Sequence, residues 1–214
     1  DITLRAIRTL KEVDFIIAED TRTSGILLNH YSIKKPMISF HGHSNNDKIE
    51  QIIAKLKNGE TAALVSDAGT PGISDPGFNL INFVLRNKLN VCPIPGVSAV
   101  ATALMVSGAP IDKFLYLGFL PLKKGRQTLL KSLAAESRTI VVYESVHRIL
   151  KTLSDLKLYL GNRYICVGRE MTKMFEEYFR GTIEDAINHF SAKNPKGEFT
   201  LVIGPSDFKL EINE

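Results

Sequence analysis

The chain has 214 residues, of which 44% are hydrophobic and 23% charged, a composition typical of a globular protein with one large or two small domains. It contains neither an apolar run of about 18 residues nor a basic and apolar leader, so we expect neither a membrane span nor secretion. The net charge of +4 is too small to indicate nucleic-acid binding by itself.

The positive charge is concentrated in one segment, residues 113–151. This segment carries eight Lys and Arg residues against two acids, Glu136 and Glu144, while the rest of the chain carries 19 basic and 21 acidic residues. A local basic surface fits a polyanionic partner, and a solvated helix surface is the alternative.

The first half of the chain alternates short apolar runs with segments whose apolar residues have helical spacing. Strands are predicted at residues 13–18, 37–40, 61–65 and 91–94, and helices at 24–31, 46–57 and 78–87. Such alternation is typical of a mostly parallel sheet covered on both faces, so residues 1–110 are predicted to form an α/β domain. The two cysteines, Cys92 and Cys166, lie in apolar runs, so we expect buried free thiols in a reducing cytoplasm.

The pattern changes near the turn at residues 107–110. Beyond it, strands are predicted at residues 114–119, 139–143, 164–168, 175–180 and 199–203, and helices at 126–135, 146–159 and 183–190. The third and fourth of these strands are separated by few residues, so we expect them to pair antiparallel. Residues 111–214 are therefore predicted to form a second α/β domain with a mixed sheet.

Several common functional motifs are missing. Neither the G-x-G-x-x-G dinucleotide fingerprint nor the G-x-x-x-x-G-K-[ST] phosphate loop occurs. His41 and His43 form an H-x-H pair, but no carboxylate or cysteine cluster at metal-binding spacing accompanies them, so we expect no metal site. Ser98 stands in "PGVSAV" rather than in a G-x-S-x-G elbow, which argues against a serine hydrolase.

Three loops follow predicted strands of the first domain, and open α/β sheets bind ligands at the carboxyl ends of their strands. They are "AEDTRTS" (residues 18–24), "SDAGTPGISDPG" (66–77) and "PIPGVSAVATAL" (93–104). The second loop is long for a strand–helix connection, and its glycines can present backbone groups to a flat polar heterocycle. A tight connection is the alternative, with Asp75 as helix cap and Pro76 at the first helical position.

The loops belong to a series of motifs: "AEDTRTSGILLNHYSI", "SFHGHSNND", "ALVSDAGTPGISDPG", "PIPGVSAVATALMVSGAP", "YLGFLPLKKGRQ", "VVYESVHRI" and "GEFTLVIGP". Together they resemble the tetrapyrrole methylase superfamily, in particular its bacterial members that methylate the RNA of the small ribosomal subunit. The resemblance implies two α/β domains with a cleft between them, S-adenosylmethionine as methyl donor, and a homodimer. It also implies 2′-O-methylation of a cytidine ribose in 16S rRNA.

The resemblance also implies which residues contact the donor. These are Ala68, Gly69, Thr70 and Ile73 in the glycine-rich loop, Ser98 and Ala99 in the next loop, Tyr143 and Glu144 at the cleft, and Met171 on the facing loop. We add Asp67 on chemical grounds, as a carboxylate near the sulfonium or amino group of the donor. The family pattern begins with a strand and a proline-glycine loop just before "DITLRA", and we expect that segment, upstream of Asp1, to line the same pocket.

A ribose hydroxyl is a weak nucleophile at neutral pH, so a general base would assist its methylation. Glu19, Asp20, His41 and Glu144 are candidates, and the position of "AED" at a strand end favours Glu19 or Asp20. The alternative is that these two residues cap the helix that opens at Thr21.

Contacts to RNA are expected from other side chains. Arg22, Lys124 and Arg126 are candidates for phosphate contacts, and His41 and His43 for stacking on a base or touching the backbone.

Two competing functions stay open at this point. The same fold supports a methyltransferase of a small tetrapyrrole, and a non-catalytic nucleotide-binding or RNA-binding module is a third hypothesis. The basic segment with "PLKKGRQ" favours RNA as the substrate.

Overall fold

The structure, a computed structural model, describes residues 1–42, 46–75, 77–192 and 196–210. The chain divides into two compact units, Asp1–Ser98 and Ala99–Glu214, which we call unit 1 and unit 2. The sequence places its boundary at residues 110/111, twelve residues later. No helix in the described ranges has both the length and the apolar character needed to cross a membrane.

Unit 1 contains a three-stranded sheet in the order β2-β1-β3, in which β1 pairs parallel with both neighbours. Its elements in chain order are α1 (Leu4–Glu12), β1 (Phe15–Ala18), α2 (Thr21–His30), β2 (Met37–Ser39), α3 (Asn46–Lys57), β3 (Ala62–Val65) and α4 (Gly77–Arg86). The parallel sheet expected from the alternating pattern is confirmed.

Both faces of this sheet are covered. Successive side chains of β1 point in opposite directions, so they contribute to two separate apolar clusters. Phe15 and Ile17 pack in one cluster with Ile52 of α3 and Leu80 of α4. Ile16 packs in a second cluster with Leu10 of α1 and Leu28 of α2. The whole of β1 is therefore buried, which explains its continuous apolar sequence.

One predicted strand of unit 1 is wrong. Residues 91–98 contain no strand, Val91 is exposed, and Cys92 is an exposed rather than a buried thiol. Among the described residues β3 pairs only with β1, so the apolar run at 91–94 lacks the hydrogen-bonded neighbour that a strand requires.

Unit 2 contains a five-stranded sheet in the order β4-β5-β8-β6-β7, in which only the β4–β5 pair is parallel. Its elements are α5 (Ala99–Met105), β4 (Phe114–Phe119), α6 (Arg126–Leu133), β5 (Thr139–Ser145), α7 (Ile149–Leu160), β6 (Tyr164–Arg169), β7 (Glu177–Thr182), α8 (Ile183–Ser191) and β8 (Glu198–Ile203). The mixed sheet and the antiparallel β6–β7 pair are both confirmed.

Helices cover both faces of this second sheet as well. On one face, α7 and α8 bury side chains such as Leu153, Leu156 and Phe190. On the other face, Val100 and Ala103 of α5 pack against the strands. Because α5 buries its apolar side on the second sheet, the units divide before this helix rather than at residue 110.

Candidate functional site

The three parallel strands of unit 1 bring their carboxyl ends to one edge of the sheet. Glu19 and Asp20 follow β1, Asp67 comes two residues after β3, and His41, which is exposed, comes two residues after β2. The main chain continues its pairing past the strands, since the amide of Glu19 donates to the carbonyl of Val65 at 3.2 Å. Residues from three separate loops are thus collected at this edge, while His43 lies outside the described residues.

Two of these loops are tied together by reciprocal hydrogen bonds. The amide of Asp67 donates to Oε2 of Glu19 at 3.3 Å, and the amide of Asp20 donates to Oδ1 of Asp67 at 3.1 Å. Each loop supplies a carboxylate that binds the backbone of the other. Glu19, Asp20 and Asp67 therefore form one acidic group at the carboxyl ends of β1 and β3.

Asp20 has a second role as the cap of α2. Its Oδ1 accepts a hydrogen bond from the amide of Arg22 at 2.8 Å, and its Oδ2 lies 2.6 Å from Nη2 of the same residue. The Arg22 side chain holds the pKa of Asp20 at about 2. A carboxylate with so low a pKa is a weak general base, so this geometry favours Glu19 over Asp20 for proton transfer.

The capping contact also explains where α2 begins. The sequence predicts a helix from residue 24, but the Asp20 cap starts it three residues earlier, at Thr21. The Arg22 side chain is 90% exposed, and its guanidinium forms an ion pair with the Asp20 carboxylate.

The glycine-rich loop at residues 66–77 is ordered by its own contacts. The Thr70 hydroxyl donates to the carbonyl of Val97 at 2.6 Å, which links this loop to the segment before Ser98. Gly69 has a φ of +72°, a conformation that residues other than glycine rarely adopt. Asp75 accepts hydrogen bonds from the amides of Gly72 and Gly77, and so supports the start of α4. Asp75 thus contacts the first residue of α4, in agreement with the helix-start position expected of it, while Pro76 lies outside the described residues.

A cavity of about 550 Å³ in unit 1 is lined by residues 60–64 and 89–94 and by Thr70 and Pro71, and a smaller cavity of about 270 Å³ adjoins residues 66–71 of the glycine-rich loop. The smaller one is lined chiefly by residues 66–71, residues 94–97 and residues 1–3. Asp67, Ala68, Gly69 and Thr70, four of the predicted donor contacts, line it, whereas Ile73 and Ser98 do not.

Unpartnered backbone amides occur in the loop that lines the smaller cavity. The amides of residues 68–70 have no hydrogen-bond partner among the described residues. Such a wall suits a ligand that carries hydrogen-bond acceptors, as the purine of an adenosyl group does.

The sequence-based reasoning missed residues 1–3 as part of this cavity. Thr3 caps α1 by accepting from the amide of Ala6 at 3.1 Å, and its hydroxyl also donates to the carbonyl of Pro95 at 3.3 Å. The signal that identifies such a residue is a threonine directly before the pattern of an amphipathic helix.

Two predicted donor contacts of unit 2 lie in the apolar cluster under α5, the helix that begins at Ala99. Tyr143 packs against Tyr116, with ring centroids 5.4 Å apart, and burial raises its pKa. Met171 packs over Gly168, where an added Cβ would lie 2.5 Å from the Met171 sulfur. The structure thus brings Tyr143 and Met171 into one cluster with this helix.

Glu144 and Arg126 are buried, which does not fit the donor contact predicted for Glu144 or the phosphate contact predicted for Arg126. Glu144 is 1% exposed and Arg126 is 7% exposed. Oε2 of Glu144 accepts from the hydroxyl of Thr152 at 2.6 Å, and Nη2 of Arg126 donates to the same hydroxyl at 2.9 Å. Arg126 also forms an ion pair of 2.9 Å with Asp155. We therefore assign both residues to the scaffold of unit 2, while Lys124 is exposed as expected for a phosphate contact.

Comparisons with known proteins agree with this arrangement. The family model of the Tetrapyrrole (Corrin/Porphyrin) Methylases matches residues 1–187. The chain is 50% identical to "Ribosomal RNA small subunit methyltransferase I" of Thermotoga maritima, over 95% of this chain and 91% of that protein. It is also 50% identical to the protein of the same name from Synechocystis, over 95% of this chain and 74% of that protein.

A solved structure supports the same fold at lower identity. It is a uroporphyrin-III C-methyl transferase from Thermus thermophilus in complex with S-adenyl homocysteine, with a TM-score of 0.62 at 19% identity, covering 96% of this chain and 91% of that one. At this identity the likeness concerns the fold alone. The family match over most of the chain and the 50% identity to two relatives decide the assignment: the chain belongs to the tetrapyrrole methylases and, within them, to the ribosomal RNA small subunit methyltransferase I family.

Proposed function

We propose that the protein is an S-adenosylmethionine-dependent methyltransferase that methylates the 2′-hydroxyl of a cytidine ribose in 16S rRNA. The observation that carries this proposal is the 50% identity, over 95% of the chain, to a relative named for methylation of small-subunit ribosomal RNA. The polar loops at the carboxyl edge of the unit 1 sheet support it, because they carry carboxylates that such a reaction could use.

We place the donor in the cavity beside the glycine-rich loop. Unpartnered amides at residues 68–70 would bind acceptors of its adenosyl group, and the nearby carboxylate of Asp67 would attract its positive charge. When bound, S-adenosylmethionine supplies a methyl group already activated by the sulfonium. The protein chiefly has to align the acceptor hydroxyl with that group and exclude water.

The acceptor requires a base, and Glu19 is the residue best suited to it. The Glu19 carboxylate is half-buried beside the donor loop, and only one of its oxygens is engaged by the amide of Asp67. We propose that it takes the proton of the ribose hydroxyl as the new oxygen–carbon bond forms. Asp20 keeps its capping role, because its carboxylate is occupied by Arg22.

Further parts of the proposal rest on the family. Membership supports donor contacts for Ile73, Ser98, Ala99, Tyr143 and Met171, phosphate contacts for Arg22 and Lys124, and an RNA contact for His41. It also supports a homodimer, and a ribosomal substrate places the enzyme in the cytoplasm.

Transfer of a labelled methyl group tests the proposed function. The protein is incubated with methyl-labelled S-adenosylmethionine and either small ribosomal subunits, naked 16S rRNA or a uroporphyrinogen. We expect label in the RNA of one or both ribosomal samples, and none in the tetrapyrrole. Label in the uroporphyrinogen alone contradicts the proposal, and absence of transfer with measurable donor binding supports a non-catalytic binding module instead.

A further inference from the structure

The basic segment at residues 113–151 is not uniformly available for binding. Its three arginines are paired with acids, as Arg126 with Asp155, Arg138 with Glu136, and Arg148 with Glu144. The remaining cations are lysines, and two of them, Lys123 and Lys124, are adjacent, exposed and without an ion pair to any described residue. The free positive charge of the segment is therefore densest in the loop between β4 and α6.

Two of the paired arginines also donate hydrogen bonds to backbone carbonyls of this loop. Nη2 of Arg148 donates to the carbonyl of Leu120 at 2.7 Å, and Nη1 of Arg126 donates to the carbonyl of Pro121 at 3.2 Å. These are the carbonyls of the two residues that open the loop. The loop thus leaves the sheet along a path fixed by two guanidinium groups.

A buried carboxylate orients both guanidinium groups. Glu144 binds Arg148 directly at 2.9 Å, and it binds Arg126 through the Thr152 hydroxyl, which lies 2.6 Å from Glu144 and 2.9 Å from Arg126. Glu144 is fully enclosed, so these contacts are made away from solvent, where hydrogen bonds to a charged group are strong. The loop that carries the exposed lysines is in this way held by a buried hydrogen-bond network.

The strand before the loop presents an aromatic ring. Tyr116 pairs with Val141 and Phe119 pairs with Tyr143, so β4 carries one residue more than β5 over this interval, which is a β-bulge. Gly118 lies in the bulge with a φ of +62°. The extra residue turns Phe119 to the same face as Tyr116 and Tyr143, and its ring centroid lies 5.7 Å from that of Tyr143.

The ring of Phe119 is supported on one side and open on the other. It packs edge-on against Tyr143, yet the residue is 54% exposed. At most about 18 Å of backbone separates it from Lys124, by the reach of an extended chain. An open aromatic ring followed closely by unpaired cations is the pattern with which proteins bind single-stranded nucleic acid, through base stacking and phosphate contacts.

We propose that Phe119, Lys123 and Lys124 form a binding surface for single-stranded RNA. Phe119 stacks on a base, the two lysines contact phosphates, and Glu144, Arg126 and Arg148 are positioning residues that fix the loop. The inference rests on the proposed function, because it takes the substrate to be ribosomal RNA. It replaces the direct phosphate contact expected of Arg126 with an indirect role.

Binding of small ribosomal subunits, measured over a range of salt concentrations, tests the surface. Phe119→Ala should weaken binding about 5- to 150-fold, because stacking of one base is lost, and should leave the salt dependence unchanged. Lys123→Gln/Lys124→Gln should lower the slope of log K against log salt by about 1.4, since each phosphate contact to a single strand contributes about 0.7. The matched control is Lys131→Gln/Lys151→Gln, which removes two exposed lysines of the same segment and should change neither quantity.

Arg148→Lys tests the positioning role. A single atom of Arg148, Nη2, contacts both the Glu144 carboxylate and the Leu120 carbonyl. Lysine keeps the charge, but its shorter side chain does not carry its ammonium to the position of Nη2. We expect KM for subunits to rise several-fold with kcat at saturation and donor affinity nearly unchanged. A fall in melting temperature with an unaltered KM would instead reduce the network to a structural role.

The outcomes separate this inference from the proposed function. The unaltered protein could methylate ribosomal RNA while the Phe119 and lysine variants bind subunits as tightly as it does. In that case the proposed RNA surface is wrong, and the proposed function is unaffected. If the unaltered protein transfers no methyl group to RNA, the proposed function fails, and the RNA surface fails with it.

Discussion

Glu19 and Asp67 each bind the backbone of the other's loop: the Glu19 carboxylate accepts from the amide of Asp67, and the Asp67 carboxylate accepts from the amide of Asp20. Two strand ends that are 48 residues apart in sequence are held together by this pair. The arrangement joins the proposed base to the proposed donor loop, and substitutions that preserve the hydrogen bonds can test the two separately.

Glu19→Gln removes the proposed base but keeps an oxygen that can accept from the amide of Asp67. We expect kcat for methyl transfer to fall about 100-fold or more, as is typical when a general base is lost, with donor affinity within about twofold of the original. Single-turnover transfer and calorimetric titration of the donor measure the two quantities.

Asp20→Asn is the matched control for Glu19→Gln. Asparagine is also a good N-cap, and the low pKa of Asp20 makes its carboxylate a weak base, so kcat should change little. If Asp20→Asn is as damaging as Glu19→Gln, or if Glu19→Gln retains full activity, the assignment of the base is wrong.

Gly69→Val tests the glycine-rich loop. A β-branched residue at a φ of +72° is strained, so we expect the free energy of unfolding to fall by about 1–2 kcal/mol and the donor Kd to rise at least about tenfold. Gly59→Val is the control, because Gly59 also has a positive φ, of +90°, with open space around it, and does not line the donor cavity.

Backbone strain should lower the donor affinity only when it is introduced in the loop beside the cavity. Both variants should lose similar stability in urea titrations, while the donor affinity falls in Gly69→Val alone. Equal donor affinities in the two variants would show that the loop does not contribute to donor binding.

The architecture of each unit could be read from the sequence because apolar runs and helical spacing are local signals. The buried strand Phe15–Ala18 is a short apolar run, and the amphipathic helix Asn46–Lys57 shows its buried face through spacing. The run at residues 91–94 has the same local signal as β1 but pairs with no strand among the described residues. Its misreading shows that an apolar run indicates a strand only where a neighbour is present to pair with it.

The candidate site was partly predictable for a topological reason. Loops that follow parallel strands meet at one edge, so Glu19 and Asp67 could be expected there. By contrast, Arg126 follows "PLKKG" and looks like a surface cation, since its partner Asp155 lies 29 residues away in sequence. Which carboxylate of "ED" caps the helix is likewise decided by local geometry rather than composition.

Met171 and Gly168 are coupled by packing in unit 2. Gly168→Ala would push a Cβ into the Met171 side chain, so we expect a loss of about 1–3 kcal/mol in the free energy of unfolding. In a Met171→Ala background the same change should cost much less, because the obstructing sulfur is gone. A double-mutant cycle in urea measures the coupling, and strictly additive effects would contradict this packing.

Stability at acid pH should reflect two arginine-bound carboxylates, one in each unit. Hydrogen bonding to Arg22 lowers the pKa of Asp20 to about 2, and hydrogen bonding to Arg138 lowers that of Glu136 to about 2. Because both values are depressed on folding, their contribution is fully present above the ordinary pKa values of 3.8 and 4.5, and it is lost as the pH falls through about 2.

Urea midpoints measured between pH about 5 and about 2 check this dependence. The midpoint of the unaltered protein should fall more steeply with acidification than those of Asp20→Asn and Glu136→Gln. Parallel curves for the three proteins would show that these carboxylates do not carry the expected pKa shifts.

The chemical identity of the methylated nucleoside tests the central claim most directly. After transfer from labelled S-adenosylmethionine to small ribosomal subunits, the 16S rRNA is digested to nucleosides and the labelled product is identified by mass spectrometry. We predict 2′-O-methylcytidine, formed far more slowly by Glu19→Gln. A label on a nucleobase, or on a ribose other than that of cytidine, would contradict the account.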